Sequence, residues 1–222
     1  MKRWGKRLLD LLYPPKCVFC RRLLEDEEME ICNRCRIHLP IRRDFLDAGP
    51  NVSRCVAAFY YQDDVRESLL RFKFEGMEQY AACYGSLLAP TVSARIPEDA
   101  YDAVTWIPIS RRRRRSRGYD QAGLLAKAVA GQLGKPLLST LRKIRDNPPQ
   151  STMASASKRR ENVKRVYEAT DVSLVAGRRL LLVDDILTTN ATMSEAARTL
   201  REAGAASVFG AVMASGHISN EE

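Results

Sequence analysis

Residues 178–205 read RRLLLVDDILTTNATMSEAARTLREAGA, and the order of side-chain types in this stretch decides the fold. Leu180 to Val183 is an unbroken apolar run, the pattern of a strand buried on both faces. Asp184 and Asp185 follow at once, then the turn Thr188, Thr189, Asn190, Ala191 and Thr192, then an alanine-rich amphipathic run closed by Gly204. In open parallel sheets, ligands bind beyond the carboxyl ends of the strands. The turn offers backbone N–H groups and three hydroxyls at a helix start, where an anion is favoured, so it predicts a cradle for one phosphate. The two carboxylates repel phosphate. They suit what stands beside it, either the vicinal hydroxyls of a ribose or a hydrated Mg²⁺. Without the hydroxyl turn, the same two acids read as a helix cap and a solvated bend.

The flanking sequence supplies the rest of an α/β pattern. CVAAFYY (55–61) reads as a strand and DDVRESLLRFKFEG as a helix with Asp63 as N-cap, Gly76 at its end and Lys73 complementing the helix dipole. A second helical run covers about residues 78–94. AVTWIPI (103–109) reads as a buried strand stopped by Pro108, residues 121–133 as a helix closed by Gly134, and SVFGAVMA as a last strand. KPLLSTLRKI reads as a strand with its exit, and the segment from Arg145 to Ala169 as a long mobile loop leading into a short helix. Strands alternating with helices predict a parallel sheet flanked by helices on both faces.

The chain has 222 residues and a net charge of +9, room for one α/β domain and a small appendage. The charge is uneven. Between Ser110 and Arg165 stand 16 Lys and Arg against three acids, so this segment carries +13 and the remainder −4. Six of the arginines lie within Arg111–Arg117. They are either a solvated helix face or, because like charges at a strand end repel, a site for a polyanion such as pyrophosphate or nucleic acid. No apolar run is long enough to cross a bilayer. The N-terminus is basic and then apolar, but Asp10 interrupts it and no small-residue cleavage site follows. The expectation is a short amphipathic helix ended by Pro14 and Pro15, a cytoplasmic location, and cysteines outside any disulfide framework.

Cys17 and Cys20, then Cys32 and Cys35, form two C-x-x-C pairs with eleven residues between them. That spacing predicts four thiolates on one structural zinc, because roughly forty residues cannot bury a sufficient core alone. A redox dithiol would need a βαβ context that is missing here. His38 is a spare metal neighbour at most, and neither it nor His217 is assigned to catalysis. Cys55 and Cys83 read as buried small residues. The polar stretch after Pro40 reads as a linker, which divides the chain into residues 1–50 with the zinc ribbon and residues 51–222.

LLLVDDILTTNAT resembles the phosphoribosyl-diphosphate (PRPP) fingerprint of type I phosphoribosyltransferases. With LLDLLYPPKC, the paired C-x-x-C knuckle, LLRFKFEG, IPISRRRRRSRGYDQAGLLAKAVA and PPQSTMASASKRRENV in this order, nearly the whole chain resembles the ComF family, associated with natural competence and DNA uptake. The resemblance implies a type I phosphoribosyltransferase-like domain behind an N-terminal zinc ribbon. It implies that Asp184 and Asp185 contact ribose hydroxyls, directly or through Mg²⁺ carried with PRPP, and that Thr188 to Thr192 cradle the 5′-phosphate. Ser110 would face the pyrophosphate. Arg113, Arg117, Gly118 and Gln121 match one family pattern, and Arg159 and Asn162 a later one; with Arg111, these cations and Gln121 are the candidates for pyrophosphate or DNA. Two positions depart from the pattern. Asn190 replaces a glycine wanted for an unusual backbone angle, and Asp120 replaces an asparagine, adding a negative charge near the pyrophosphate.

Two functions fit. One is an enzyme that loosens the bond between ribose C1 and pyrophosphate, with residues 146–162 as a hood. The other is a single-stranded-DNA-binding adaptor for a DNA helicase or translocase, catalytically inactive on the same fold, with the arginine run on the DNA backbone and Tyr119 stacking on bases.

Overall fold

The computed structural model describes residues 14–145 and 165–216. The apolar run at 180–183 is the middle of a longer strand, β5 (Arg179–Leu187), so Asp184 and Asp185 lie within the strand rather than after it. The reason is its neighbour. β6 (Ser207–Ser215) stays in register as far as Leu187 and Ser215, which gives the end of β5 a ladder to join. On the other side β2 (Ala103–Trp106) pairs only as far as Trp106 opposite Val183. β1 (Cys55–Tyr60) completes a four-stranded sheet, ordered β1-β6-β5-β2, with every pairing parallel.

Leu180 to Val183 are fully buried, and the pleat divides them between two cores. Leu181 and Val183 face a cluster with Val104, Ala211 and Met213, while Leu180 and Leu182 face one with Ala103, Val208 and Val212. Over the first face lie α2 (Asp63–Phe74), α3 (Tyr80–Ser93) and α5 (Gln121–Leu133). Over the second lies α6 (Asn190–Glu202), through Met193, Ala196, Ala197 and Leu200. Helices α3 and α5 touch so closely that a Cβ on Gly85 would sit 2.5 Å from the Ala128 Cβ.

Several local expectations shift. Gln62, not Asp63, is the N-cap of α2, and Asp63 takes a left-handed backbone with φ 44°. Tyr61 donates its N–H to the Ser215 carbonyl and extends the sheet by one residue, so the sharp turn falls on an aspartate, a type that tolerates it. KPLLSTLRKI only brushes the main sheet, through a Leu137–Val104 bridge, before β3 (Leu141–Lys143) pairs antiparallel with β4 (Tyr167–Ala169). The end of the expected loop and helix is thus a strand. The remainder of that segment, the expected leader helix, and Arg159, Asn162 and His217 lie outside the described residues.

The cysteine-rich lobe, which carries the short helix α1 (Asn33–His38), does not stand apart. Cys17, Val18, Phe19, Ile31, Cys32 and Cys35 belong to the same apolar cluster as Phe59, Tyr84 and Leu181. The Phe19 ring meets Phe59 edge-on at 5.8 Å and lies 6.1 Å from Tyr84. Helix α2 pins the lobe. Ser68 Oγ donates to the Val18 carbonyl at 2.7 Å, and Arg71 Nη2 donates to the same carbonyl at 3.0 Å and to that of Phe19. The expected linker is also bound. Ile41 bridges Phe59, and Leu46 bridges Cys55, along the outer edge of β1. Phe19 therefore joins lobe to sheet. Phe19→Ala should destabilise the whole chain by about 3–5 kcal/mol in a single urea transition; a loss confined to an early, separate transition would show two independently stable bodies.

Candidate functional site

Beyond Val183, strand β5 has a partner on one side only. Ile107 donates its N–H to the Val183 carbonyl, Pro108 follows, and the chain leaves the sheet. This opens a crevice at the carboxyl edge, and the acids stand in it. The pleat sends them to opposite faces. Asp184 lies toward Cys55 and Tyr167, and Asp185 toward Lys73 and Arg117. The Asp185 N–H donates to Asp184 Oδ1 at 2.8 Å. Burial, and then the neighbouring Asp185 charge, push the Asp184 pKa well above the usual carboxylate range.

Asp185 is 7% exposed, and its Oδ1 lies 3.0 Å from Lys73 Nζ. The sequence reading missed this lysine as a site residue. The only local signal was its place at the end of an amphipathic helix, which also fits a dipole role. Around it the end of α2 is clamped. Tyr119 OH donates to the Phe72 carbonyl, and Gln121 Nε2 donates to the Lys73 carbonyl at 3.3 Å. Arg117 Nη1 donates to Gln121 Oε1 at 3.0 Å, and its guanidinium lies 4.8 Å over the Phe74 ring. Burial lowers the Arg117 pKa, and the Asp185 charge opposes that shift.

These contacts correct two expectations. Tyr119 is buried against Phe72 with its hydroxyl engaged, so it offers no face to a nucleic-acid base. Gln121 is 1% exposed with both ends of its amide bonded, so it braces Arg117 and α2 rather than meeting an anion. Asp120 is also turned inward. It caps α5 at the Gly123 N–H and accepts from Trp106 Nε1 and the Ile109 N–H, each at 3.2–3.3 Å. Its charge, which burial discourages, is spent on the fold.

The arginine run forms a short helix, α4 (Arg111–Arg117), ended by Gly118 at φ 88°. Ser110 is its N-cap, buried, accepting the Arg113 N–H at 3.3 Å. Among the described residues, Arg111, Arg112 and Arg115 are exposed and make no salt bridge. Across the crevice Thr188 is exposed, Thr189 is the N-cap of α6 without a side-chain cap bond, and Asn190, Ala191 and Thr192 form its first turn. Asn190 takes helical backbone, so the left-handed angle expected there is absent. Its Oδ1 is buried without a hydrogen-bond partner. The structure thus brings Asp184, Asp185, Ser110, Thr188 to Thr192 and α4 to one sheet edge, with Lys73 added.

The acids fit a bare Mg²⁺ poorly. Such an ion needs several oxygen donors in near-octahedral array. Here the two carboxylates diverge, one is discouraged from ionising, and the other already holds an ammonium. The cysteines do fit a metal. The sulfurs of Cys17, Cys20, Cys32 and Cys35 all lie within 4.8 Å of one another. Cys20 and Cys32 Sγ are 3.6 Å apart, near the ~3.8 Å edge of a tetrahedral zinc–thiolate site. The Cys32 and Cys35 N–H groups donate to the Cys17 and Cys32 sulfurs at 3.4 Å and orient them. Glu28 orders the loop between the pairs, accepting the Glu25 and Asn33 N–H groups and a fork from Arg22. His38 stands outside the cluster, in the wall of a cavity of about 290 Å³ with Cys35, Asp63 and Asp64.

The phosphoribosyl transferase domain family matches residues 120–222, and the double zinc ribbon domain family matches residues 8–45. The chain is 31% identical over 218 residues to the competence protein ComFC of Bacillus subtilis (strain 168), covering 90% of this chain and 84% of that one. It is 25% identical to competence protein F of Haemophilus influenzae, with 85% and 92% covered, and 29% identical to the DNA utilization protein YhgH of Salmonella typhi, with 86% of each covered. The double zinc ribbon and the four-cysteine cluster together support structural zinc. No helix among the described residues is long and apolar enough to cross a membrane.

Asp184 is harder to ionise in the fold than in the unfolded chain, where its pKa is about 3.9. Its charge therefore costs stability that grows as pH rises above that value. Asp184→Asn keeps the acceptor for the Asp185 N–H. It should raise the urea midpoint at pH 7 and leave it unchanged at pH 3; an equal effect at both would assign the gain to something other than charge.

Proposed function

The chain belongs to the family of the competence protein ComFC, and we propose that its carboxyl-edge crevice binds PRPP and that the protein acts in DNA uptake. The observation that carries the reading is the placement of Asp184 and Asp185 on the open end of β5, directly before the turn that starts α6. Asp185 accepts hydrogen bonds from the vicinal 2- and 3-hydroxyls of the pentose, and Asp184, on the other face, fixes the strand end through the Asp185 N–H. The first turn of α6 receives the 5′-phosphate through its amides and the positive end of its dipole. The charge of the pyrophosphate falls toward Ser110 and α4, which begin where β2 stops.

Mg²⁺, bound with PRPP, would supply charge neutralisation at the pyrophosphate. The chain's own contribution is positional and electrostatic. It fixes the pentose by both ends and sets cations where negative charge collects as the bond to C1 loosens. Removing one acceptor of a charge-assisted hydrogen bond costs about 1.5–3 kcal/mol. Asp185→Asn should therefore weaken PRPP binding by about 10- to 100-fold in calorimetry with Mg²⁺ present. Unchanged affinity would remove the assignment.

The exposed arginines, which make no salt bridge among the described residues, favour a second reading, compatible with the first. A pyrophosphate needs one or two cations, and α4 offers more, so it is also a track for single-stranded DNA beside the PRPP site. A helicase or translocase of the uptake machinery is the protein partner this reading implies. Single-strand binding loses roughly 0.7 units of log–log salt slope for each ionic contact removed. Replacing Arg111 to Arg115 with alanine should flatten the salt dependence by up to ~3.5 units; an unaltered slope would assign the arginines another role.

A further inference from the structure

We propose that Lys73 is the built-in cation of this crevice: it holds the place beside Asp185 that a divalent ion would take, so Asp185 accepts a neutral vicinal diol and excludes a bare divalent cation. This rests on the PRPP reading and refines it, because metal then reaches the site only on the ligand's own pyrophosphate.

The ammonium lies 3.0 Å from Asp185 Oδ1, and the paired side chains are 21% and 10% exposed. At that burial the pair is held tightly, since removing one partner strands a charge away from water. The lysine is also placed from behind. Its carbonyl accepts from Gln121, the Phe72 carbonyl accepts from Tyr119, and the Phe74 ring lies under the Arg117 guanidinium. Arg117 adds a second positive charge whose field is felt at Asp185. An incoming Mg²⁺ would have to shed water, which it does reluctantly, displace the ammonium, and enter the field of the Arg117 charge. Asp184 offers it little help from the other face of the strand. Hydroxyls meet none of these obstacles. They donate to carboxylate lone pairs, of which each group has about four, and bring no charge to be repelled.

The test uses the full, zinc-loaded chain and Mn²⁺ as the probe, read by loss of its free electron-paramagnetic-resonance signal. Wild type should bind no Mn²⁺ that Asp185→Asn removes. Lys73→Met, shown folded by circular dichroism and its urea midpoint, should gain a site at least tenfold tighter, and adding Asp185→Asn should abolish it. Lys73→Arg should keep the exclusion, and Lys73→Gln replaces the methionine variant if that one does not fold. A wild-type Mn²⁺ site lost in Asp185→Asn, or a folded Lys73→Met without a new site, overturns the proposal. A parallel PRPP titration separates the two claims. PRPP binding with no exclusion of Mn²⁺ overturns the role of Lys73 alone. The expected Mn²⁺ pattern without PRPP binding supports Lys73 as resident cation and overturns the pentose reading.

Discussion

Strand β5 outlasts one of its two neighbours, and the rest of the site follows from that mismatch. From Leu180 through Val183 it is paired on both sides and wholly buried; beyond Val183 only β6 continues. Backbone groups on the open side have to find other partners, and polar side chains become tolerable where apolar ones stood a residue earlier. Pro108 makes the break permanent, since the chain after β2 cannot return to the ladder. Of the two carboxylates at this point, Asp185 meets the Lys73 countercharge, whereas Asp184 carries a burial cost.

Helix α2 carries the second constraint. One part of it, Ser68 and Arg71, grips the carbonyls of the first C-x-x-C turn, and its last turn sets Lys73 against Asp185. The zinc lobe and the crevice are thus attached to a single twelve-residue rod. The lobe also supplies Phe19 to the core that backs the sheet. A small metal-stabilised element, too short to fold alone, gains a stable seat by this arrangement, and the helix gains a fixed position.

Charge is arranged in two tiers. Inside, Lys73, Arg117 and Asp120 are matched against fixed partners and hold geometry. Outside, the arginines of α4 stand exposed at the same edge. The inner tier holds the shape of the crevice, and the outer tier sets a positive field that reaches into solvent.

Elements whose signals are local were legible in the order of the residues. Leu180–Val183 announced a buried parallel strand, the hydroxyl turn announced a helix start, Gly134 closed a helix whose observed span is Gln121–Leu133, and the two C-x-x-C pairs converged as their spacing required. Periodicity, caps and ligand spacing act over a few residues, so they can be read in order along the chain. Only the tertiary structure decided which charges meet. It turned Tyr119 and Asp120 inward, bound the expected linker to β1, merged the cysteine lobe with the main core, and set Lys73 on Asp185. Those contacts join segments far apart in the chain. Their energy comes from shared burial and from Coulomb attraction at close range, and neither leaves a mark on the neighbouring sequence.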